Sequence, residues 1–344
     1  MKSLKNNKAV GHDEQGMALL VTIMTVSLLV AVTIQFHKTT WQQFVVANNF
    51  KVETQLGAIA DSGVNIALTL LQNDGAENTS DSLVESWATL GQEPVENLFP
   101  SGSLQVQIVD LTGLLQINSL VQKKDETTGA AGSSNSESEI RQLFLNLLLS
   151  GAFPIEDETE ARSILDAVVD WIDADDKESD LGAENSYYQS LAQPYSARNG
   201  PIQYIEELLL IKGITPELLF GSGEYKGLAD YVTVYGNDGQ VNINTAPLAV
   251  IKSFDSLISD ELLEKFDTYR KSPEHKESLE KPNWYKEVDG WPGDIVLEAK
   301  LLTTTSSYFQ IIATGTLDSL ARRVEVVAER LKENEIKLFG RKME

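Results

Sequence analysis

Seven carboxylates crowd the stretch from Asp170 to Glu184, DWIDADDKESDLGAE, where Lys177 is the one opposing charge. Like charges at such spacing repel unless water or a cation intervenes. Calcium takes six to eight oxygen ligands, and carboxylates on a flexible loop after a helix can supply them. Counted from Asp173 as the first position, Asp175 is third and Glu184 twelfth, as in an EF-hand loop. Lys177 at the fifth position and Glu178 at the sixth, where glycine makes the turn, break that pattern. The residues leave two readings open: a calcium loop of another shape, or a solvated acidic loop.

Other chemistries are poorly supplied. The chain has no cysteine, which removes disulfides, thiolate metal sites and a cysteine nucleophile, and His12, His37 and His275 are too scattered to suggest a zinc site. No Ser/His/Asp set, phosphate-binding glycine loop or paired catalytic carboxylates can be placed, so no enzyme is expected. An enzyme that used Asp170, Asp173 and Asp175 as metal-bridging carboxylates is the rival in that class. The net charge of -23 repels nucleic acid and anionic lipid and favours cations or a basic partner. One segment, Ile205-Glu206-Glu207-Leu208-Leu209-Leu210-Ile211-Lys212-Gly213-Ile214, has the look of a helix-hairpin-helix, whose backbone amides can hold phosphate. A membrane-anchored DNA-uptake protein is therefore the alternative function. Glu206, Glu207 and the acidic charge speak against it, and Leu208, Leu209 and Ile211 suit a packing hairpin better. Asn242 and Asn244 read as residues that bond local backbone at a strand end. Trp171, Trp284 and Trp291 suit a core at least as well as a recognition surface.

The elements that must position the acidic loop begin with an anchor. Met17 to Phe36 is a run of 20 residues without a charge, preceded by Lys2, Lys5 and Lys8. At ~1.5 Å per residue it spans roughly the 30 Å of a bilayer core. The lysines place the N-terminal arm in the cytoplasm and the bulk of the chain outside it. The conspicuous junction, Gln15-Gly16-Met17, precedes the run rather than following it, so cleavage there would leave the anchor on the mature chain. Helical spacing continues through Leu56, Ile59, Gly63, Ile66, Ala67, Leu70 and Leu71 and should stop near Asn73 to Gly75. Leu104, Val106 and Ile108 alternate as a strand. Residues 122 to 139 read as a solvated loop. Helical patterns follow at 140–149, 158–171, 202–211 and 216–220. A hairpin is expected from Tyr231–Tyr235 and Gln240–Asn244 through Asn237-Asp238-Gly239, then helix from Leu248 to Arg270. A terminal hairpin joins Tyr308–Thr314 to Arg323–Glu329. Strands at both ends thus bracket a mainly helical middle, which an inserted domain explains most simply, with two sequential domains as the alternative.

The leader resembles that of type IV pilins and pseudopilins, in which a membrane peptidase cuts after glycine and the new N-terminal residue is methylated. DWIDADDKESDLGAENSYY, PYSARNGPIQYIEELLLIKGI and VTVYGNDGQVNINTAP, with QGMALLVTIM and DLTGLLQIN, are together similar to the minor pseudopilin K family of type II secretion systems. The resemblance implies an α+β fold: a pilin-like long N-terminal helix packed on an antiparallel sheet, with a large inserted, mainly helical domain. The implied divisions are a leader at 1–16, a transmembrane half-helix at 17–36, the rest of the helix and first strands at 37–118, the insertion at 119–300, a sheet hairpin at 301–334 and a tail at 335–344. It implies a subunit in the bacterial inner membrane, bulk periplasmic, that starts and caps the tip of a pseudopilus during protein export. Its expected partners are the I-, J- and H-type minor pseudopilins, the major pseudopilin, the prepilin peptidase and the inner-membrane assembly platform. Neither nucleic acid nor a small-molecule substrate is expected. Carried onto this chain, calcium is expected at Asp173, Asp175 and Glu184, with Asp170 and Asp176 next, and processing at Gly16 and Met17. Val21, fifth in the mature chain, stands where ordinary pilins carry a glutamate; a carboxylate in lipid is costly unless a cation meets it, and its absence suits a subunit with no neighbouring amine to neutralise.

Overall fold

The apolar run and the amphipathic stretch behind it are one helix, α1, Glu14–Glu77. The computed structural model describes residues 14–91, 98–121, 133–223, 225–331 and 335–344. Most of the expected leader, and residues 122–132 of the expected loop, lie outside these. The chain divides into two compact units, Met1–Ala58 and Ile59–Glu344. In the first, every side chain from Met17 to Phe36 is exposed. Among the described residues this is the segment long and apolar enough to cross a membrane. Its threonine hydroxyls are satisfied within the helix: Thr22 donates to the Leu19 carbonyl at 2.8 Å, Thr25 to that of Thr22 at 2.9 Å and Thr33 to that of Leu29 at 2.7 Å, which lets them sit in hydrocarbon.

In the second unit the end of α1 packs on a sheet. Ile59, Ala60, Val64, Ala67 and Leu71 form its buried stripe, at the three-and-four spacing that the sequence displays. The sheet is antiparallel, with strands β1 (Ser103–Asp110), β2 (Tyr308–Leu317), β3 (Leu320–Arg330) and β4 (Ile336–Met343) side by side in that order. Leu104, Val106 and Ile108 of β1, Phe309, Ile311 and Ala313 of β2, and Val324, Val326 and Ala328 of β3 alternate onto the face that meets α1. Gly63 lies where helix and sheet come closest: a Cβ there would fall 2.7 Å from Leu104 Cδ1 and 2.9 Å from the Ala313 Cβ. Helix on antiparallel sheet is the pilin-like arrangement.

β1 and β2 are direct neighbours, with Val106 opposite Ala313, although some two hundred residues separate them. The intervening chain builds its own core. Phe144 and Leu147 of α2 (Ser133–Leu148) and Ile164 and Val168 of α3 (Glu158–Ile172) meet Val250 of α4 (Leu248–Ser253), Phe266 of α5 (Asp260–Arg270) and Trp284 there. Such a chain excursion between adjacent strands is an insertion, and it is mainly helical.

Five local expectations change. The 231–244 hairpin does not form: Val232–Thr233 pairs in parallel with Leu115–Gln116, and Val241–Asn242 with Leu302–Thr303. The Gln116 side chain fills the turn instead, donating to Asp238 Oδ1 at 2.7 Å and the Gln240 carbonyl at 3.0 Å and accepting from Gly239 N at 3.1 Å. The single helix expected from Leu248 to Arg270 is two, because Asp255 accepts from Leu257 N and Ser259 caps α5 through Leu262 N. Ile205–Leu210 is a 3-10 turn rather than an α-helix. The end of the expected 122–139 loop, from Ser133, belongs to α2. The expected tail contributes β4, which pairs with β3 through a register shift between Leu338 and Arg341 and is pinned by an ion pair from Arg341 to Asp61.

Candidate metal centre

α3 begins with Asp157, whose Oδ1 accepts from Glu160 N at 2.9 Å, and its apolar stripe turns Asp170 inward in the last turn. Asp170 is 0% exposed. Burial demands partners for a carboxylate, and the loop that follows supplies them. Ser179 Oγ donates at 2.5 Å, Ser179 N at 3.1 Å and Ala183 N at 2.9 Å. Asp170 thus closes the loop on itself. Gly182 makes this possible, since a Cβ there would lie 2.0 Å from Asp170 Oδ2. From outside, Lys212 Nζ grips the Leu181 and Gly182 carbonyls at 3.2 and 2.8 Å.

The closure brings three of the expected ligands together. One oxygen each from Asp170, Asp173 and Glu184 lies within 4.8 Å of the others. Asp173 caps α3 with its N–H on the Val169 carbonyl at 2.9 Å, and its Oδ1 is buried without a partner. Glu184 is 2% exposed, and neither of its oxygens has a partner. Electrostatics register the crowding. Burial, then the negative charges of Asp175 and Asp170, push Asp173 up to about 6. Burial, then Asp173 and Asp170, push Glu184 up to about 7. Three orphaned oxygens converging among acids are a donor set that a hard divalent cation fits, since two oxygens bound to one calcium lie at most about 5 Å apart.

Asp175 and Asp176 stand apart from this group. Both are exposed; Asp175 Oδ1 accepts from Lys177 N at 2.9 Å, and Asp176 Oδ1 from Asn185 Nδ2 at 2.6 Å and Asn199 Nδ2 at 3.1 Å. Asn199, at φ +46°, also donates to the Asp175 carbonyl at 3.2 Å. The Arg198-Asn199-Gly200 turn is the signal that could have marked it. Beneath the loop, Trp171 Nε1 and Arg198 Nη1 both donate to Glu207 Oε1 at 3.1 Å. The segment that suggested a DNA hairpin is therefore a support for the acidic loop: Leu208 and Ile211 are core, Glu207 is engaged, and Lys212 is spent on the loop carbonyls. Trp171 and Trp284 are buried, and Asn242 and Asn244 are fully enclosed. Gly16, Met17 and Val21 lie exposed on the first turns of α1.

Comparison with known proteins agrees in several places. Residues 113–237 match the family model for Type II secretion system (T2SS), protein K. The type II secretion system protein K of Aeromonas hydrophila is 27% identical over 338 residues, covering 95% of this chain and 96% of its own. That of Pseudomonas aeruginosa is 28% identical over 250 residues, 70% of this chain and 68% of the relative. That of Klebsiella pneumoniae is 25% identical over 239 residues, 69% and 68%. A chain in the crystal structure of the GspK–GspI–GspJ complex from the enterotoxigenic Escherichia coli Type 2 Secretion System superposes with a TM-score of 0.63. At 19% identity it covers 87% of this chain and 99% of that one.

Proposed function

We propose that this chain, similar to type II secretion system protein K in its family-model match and in its relatives, is a non-enzymatic minor pseudopilin that starts, and then caps, a periplasmic pseudopilus. The observation that carries this reading is the insertion between β1 and β2, which adds a second hydrophobic core to a pilin-like helix and sheet. A subunit so enlarged suits the end of a helical stack, where nothing need pack above it. Val21 supports the same place: with no carboxylate at that depth, the helix has no means of neutralising the amine of a subunit ahead of it. Its partners in this reading are the I-, J- and H-type minor pseudopilins, and a relative of this fold occurs in a GspK–GspI–GspJ complex. The major pseudopilin, the assembly platform and a prepilin peptidase acting between Gly16 and Met17 complete the set, with the leader cytoplasmic and the bulk periplasmic.

Calcium is the cation proposed for Asp173, Glu184 and Asp170. It supplies positive charge to two buried carboxylates, Asp170 and Glu184, and the half-buried Asp173, and thereby holds the loop against α3. Binding to the folded state alone stabilises by mass action, about 2.7 kcal/mol at a hundred times Kd. Two measurements test the proposal. Mass spectrometry of the chain made beside a prepilin peptidase should find a methylated Met17 at the N-terminus; retention of residues 1–16 defeats the processing claim. Trypsin should cut at the exposed Lys177 faster in EDTA than in calcium, and D173A/E184A should abolish that difference; equal rates in the wild type defeat the metal claim.

A further inference from the structure

A second group of three carboxylates lies where α1 ends. Asp74 is in its last turns, Asp81 and Glu85 follow it, and one oxygen of each falls within 4.8 Å of the others. Asp81 is 1% and Glu85 3% exposed. Arg330 of β3 is the cation among them: Nη2 contacts both oxygens of Asp81, and Nη1 reaches Asp74 Oδ2 at 3.3 Å. The remaining contacts are few. Asp74 Oδ1 accepts from Asn78 Nδ2 at 2.7 Å, Asp81 Oδ2 from Ser306 N at 2.6 Å, and Glu85 Oε2 from Ser82 N at 3.1 Å and Trp87 Nε1 at 2.9 Å.

Two oxygens at this place have nothing. Glu85 Oε1 is unpartnered, and so is the hydroxyl of Ser82, which is 0% exposed and stands between Asp81 and Glu85 in the chain. A buried polar atom without a partner is costly, and two together beside three acids need a common cause. Charge points the same way. One guanidinium faces three carboxylates, and burial pushes Asp81 up to about 7 and Glu85 above its ordinary value. The next ammonium, Lys276 Nζ, is bonded to Asn78 Oδ1 at 3.2 Å.

We infer that Asp74, Asp81, Glu85 and Ser82 form a second divalent-cation site, of calcium class, separate from the acidic loop. All its donors are hard oxygens, the carboxylates are close enough to share one ion, and a charge of two completes the neutralisation that Arg330 begins. Its position gives it work. Asp81 N donates to the Thr304 carbonyl at 2.7 Å, and the Asp81 carbonyl accepts from Asn242 Nδ2 and Asn244 Nδ2, each at 3.1 Å. Thr304 and Ser306 are where the chain returns from the insertion to β2, and the two asparagines belong to the insertion. An ion here ties the helix end, the sheet and the insertion at one joint.

The test uses the full-length chain in detergent, stripped of metal, with calcium as the probe. Equilibrium dialysis should find one calcium fewer per chain in Glu85→Gln than in the wild type, because the amide oxygen keeps the bonds to Ser82 N and Trp87 Nε1 while removing a ligand. D173N/E184Q should leave this ion in place, which separates the inference from the acidic-loop reading. Ser82→Ala decides the matter if Glu85→Gln does not fold. The hydroxyl makes no hydrogen bond to protein, so its loss is harmless to a cation-free joint, whereas a lost ligand should weaken calcium binding at this site about tenfold. Unchanged stoichiometry in folded Glu85→Gln, or unchanged affinity in Ser82→Ala, overturns the inference.

Discussion

Asp170, Asp173 and Glu184 come from one short stretch and make no ion pair among the described residues, whereas Asp74, Asp81 and Glu85 meet Arg330, which reaches Asp81 from 249 positions away. The first group is a local device. Asp170 spends its oxygens on its own loop, and the two free acids are left for something from outside. The second is a tertiary device, in which acids from the end of α1 are fixed by a cation on a sheet strand. Removal of outside charge should therefore loosen a loop in one place and a joint in the other.

Replacement of Arg330 should give the largest effect. Arg330→Ala strands the buried Asp81 and the part-buried Asp74 and exposes the Phe309 ring on which the guanidinium lies, 5.0 Å from its centroid. Loss of one partner from a buried ion pair costs about 3–5 kcal/mol, which urea denaturation of the soluble part, with the membrane segment removed, should register. No residue in the acidic loop has an equivalent, so a loss as large from Lys212→Ala would erase the distinction. Gly182→Ala should come next. Its methyl cannot coexist with Asp170 Oδ2 at 2.0 Å, and overpacking of this kind costs about 1–3 kcal/mol. The same variant should accelerate tryptic cleavage at Lys177 even in calcium, because the loop can no longer close.

These two expectations also mark what the sequence could and could not convey. Local signals were readable: a charge-free run for the membrane, alternation in β1 and β3, and acids packed between Asp170 and Glu184 on the loop after a helix. Depth was not. Asp170 looked secondary because helical periodicity does not say that a carboxylate in a last turn is buried by the loop after it. Asp175 looked primary by EF-hand counting, yet its side chain is exposed and its Oδ1 accepts from Lys177 N. Tertiary partners were invisible for a related reason. Gln116 displaces the 231–244 hairpin from more than a hundred residues away, and β4 escaped because an exposed edge strand has no apolar face to alternate. The Arg330 cluster has no sequence signature, its members being two separate segments that only the sheet brings together.

pH should separate metal-free loop from metal-bound loop. In chelator, Asp173 and Glu184 hold protons in the folded state up to about 6 and about 7, while in the unfolded chain they release them near 4. A raised folded pKa contributes stability that is present at low pH and lost as pH rises through the folded value. The metal-free chain should accordingly melt at a lower temperature at pH 8 than at pH 5. Calcium requires the deprotonated acids, so its stabilising effect should grow over the same interval. Glu184→Gln should flatten both trends; a metal-free chain whose melting temperature rises from pH 5 to pH 8 contradicts the placement of these acids.

The smallest effect sharpens the comparison most. Asp173 and Glu184 are marked both by position in a motif and by enclosure, and the two criteria disagree at Asp170, enclosed but outside the motif, and at Asp175, in the motif but exposed. Its side chain is exposed, and its bond to Lys177 N at 2.9 Å is one that an asparagine oxygen can make equally well. Asp175→Asn should change stability by less than about 0.5 kcal/mol and leave calcium protection of Lys177 intact. It should also lower the pKa of Asp173 slightly, since Asp175 is the largest negative neighbour acting on that group. Loss of calcium protection in this variant would mean that the loop closes further around the ion than the three enclosed carboxylates require, and that spacing, not burial, identifies its ligands.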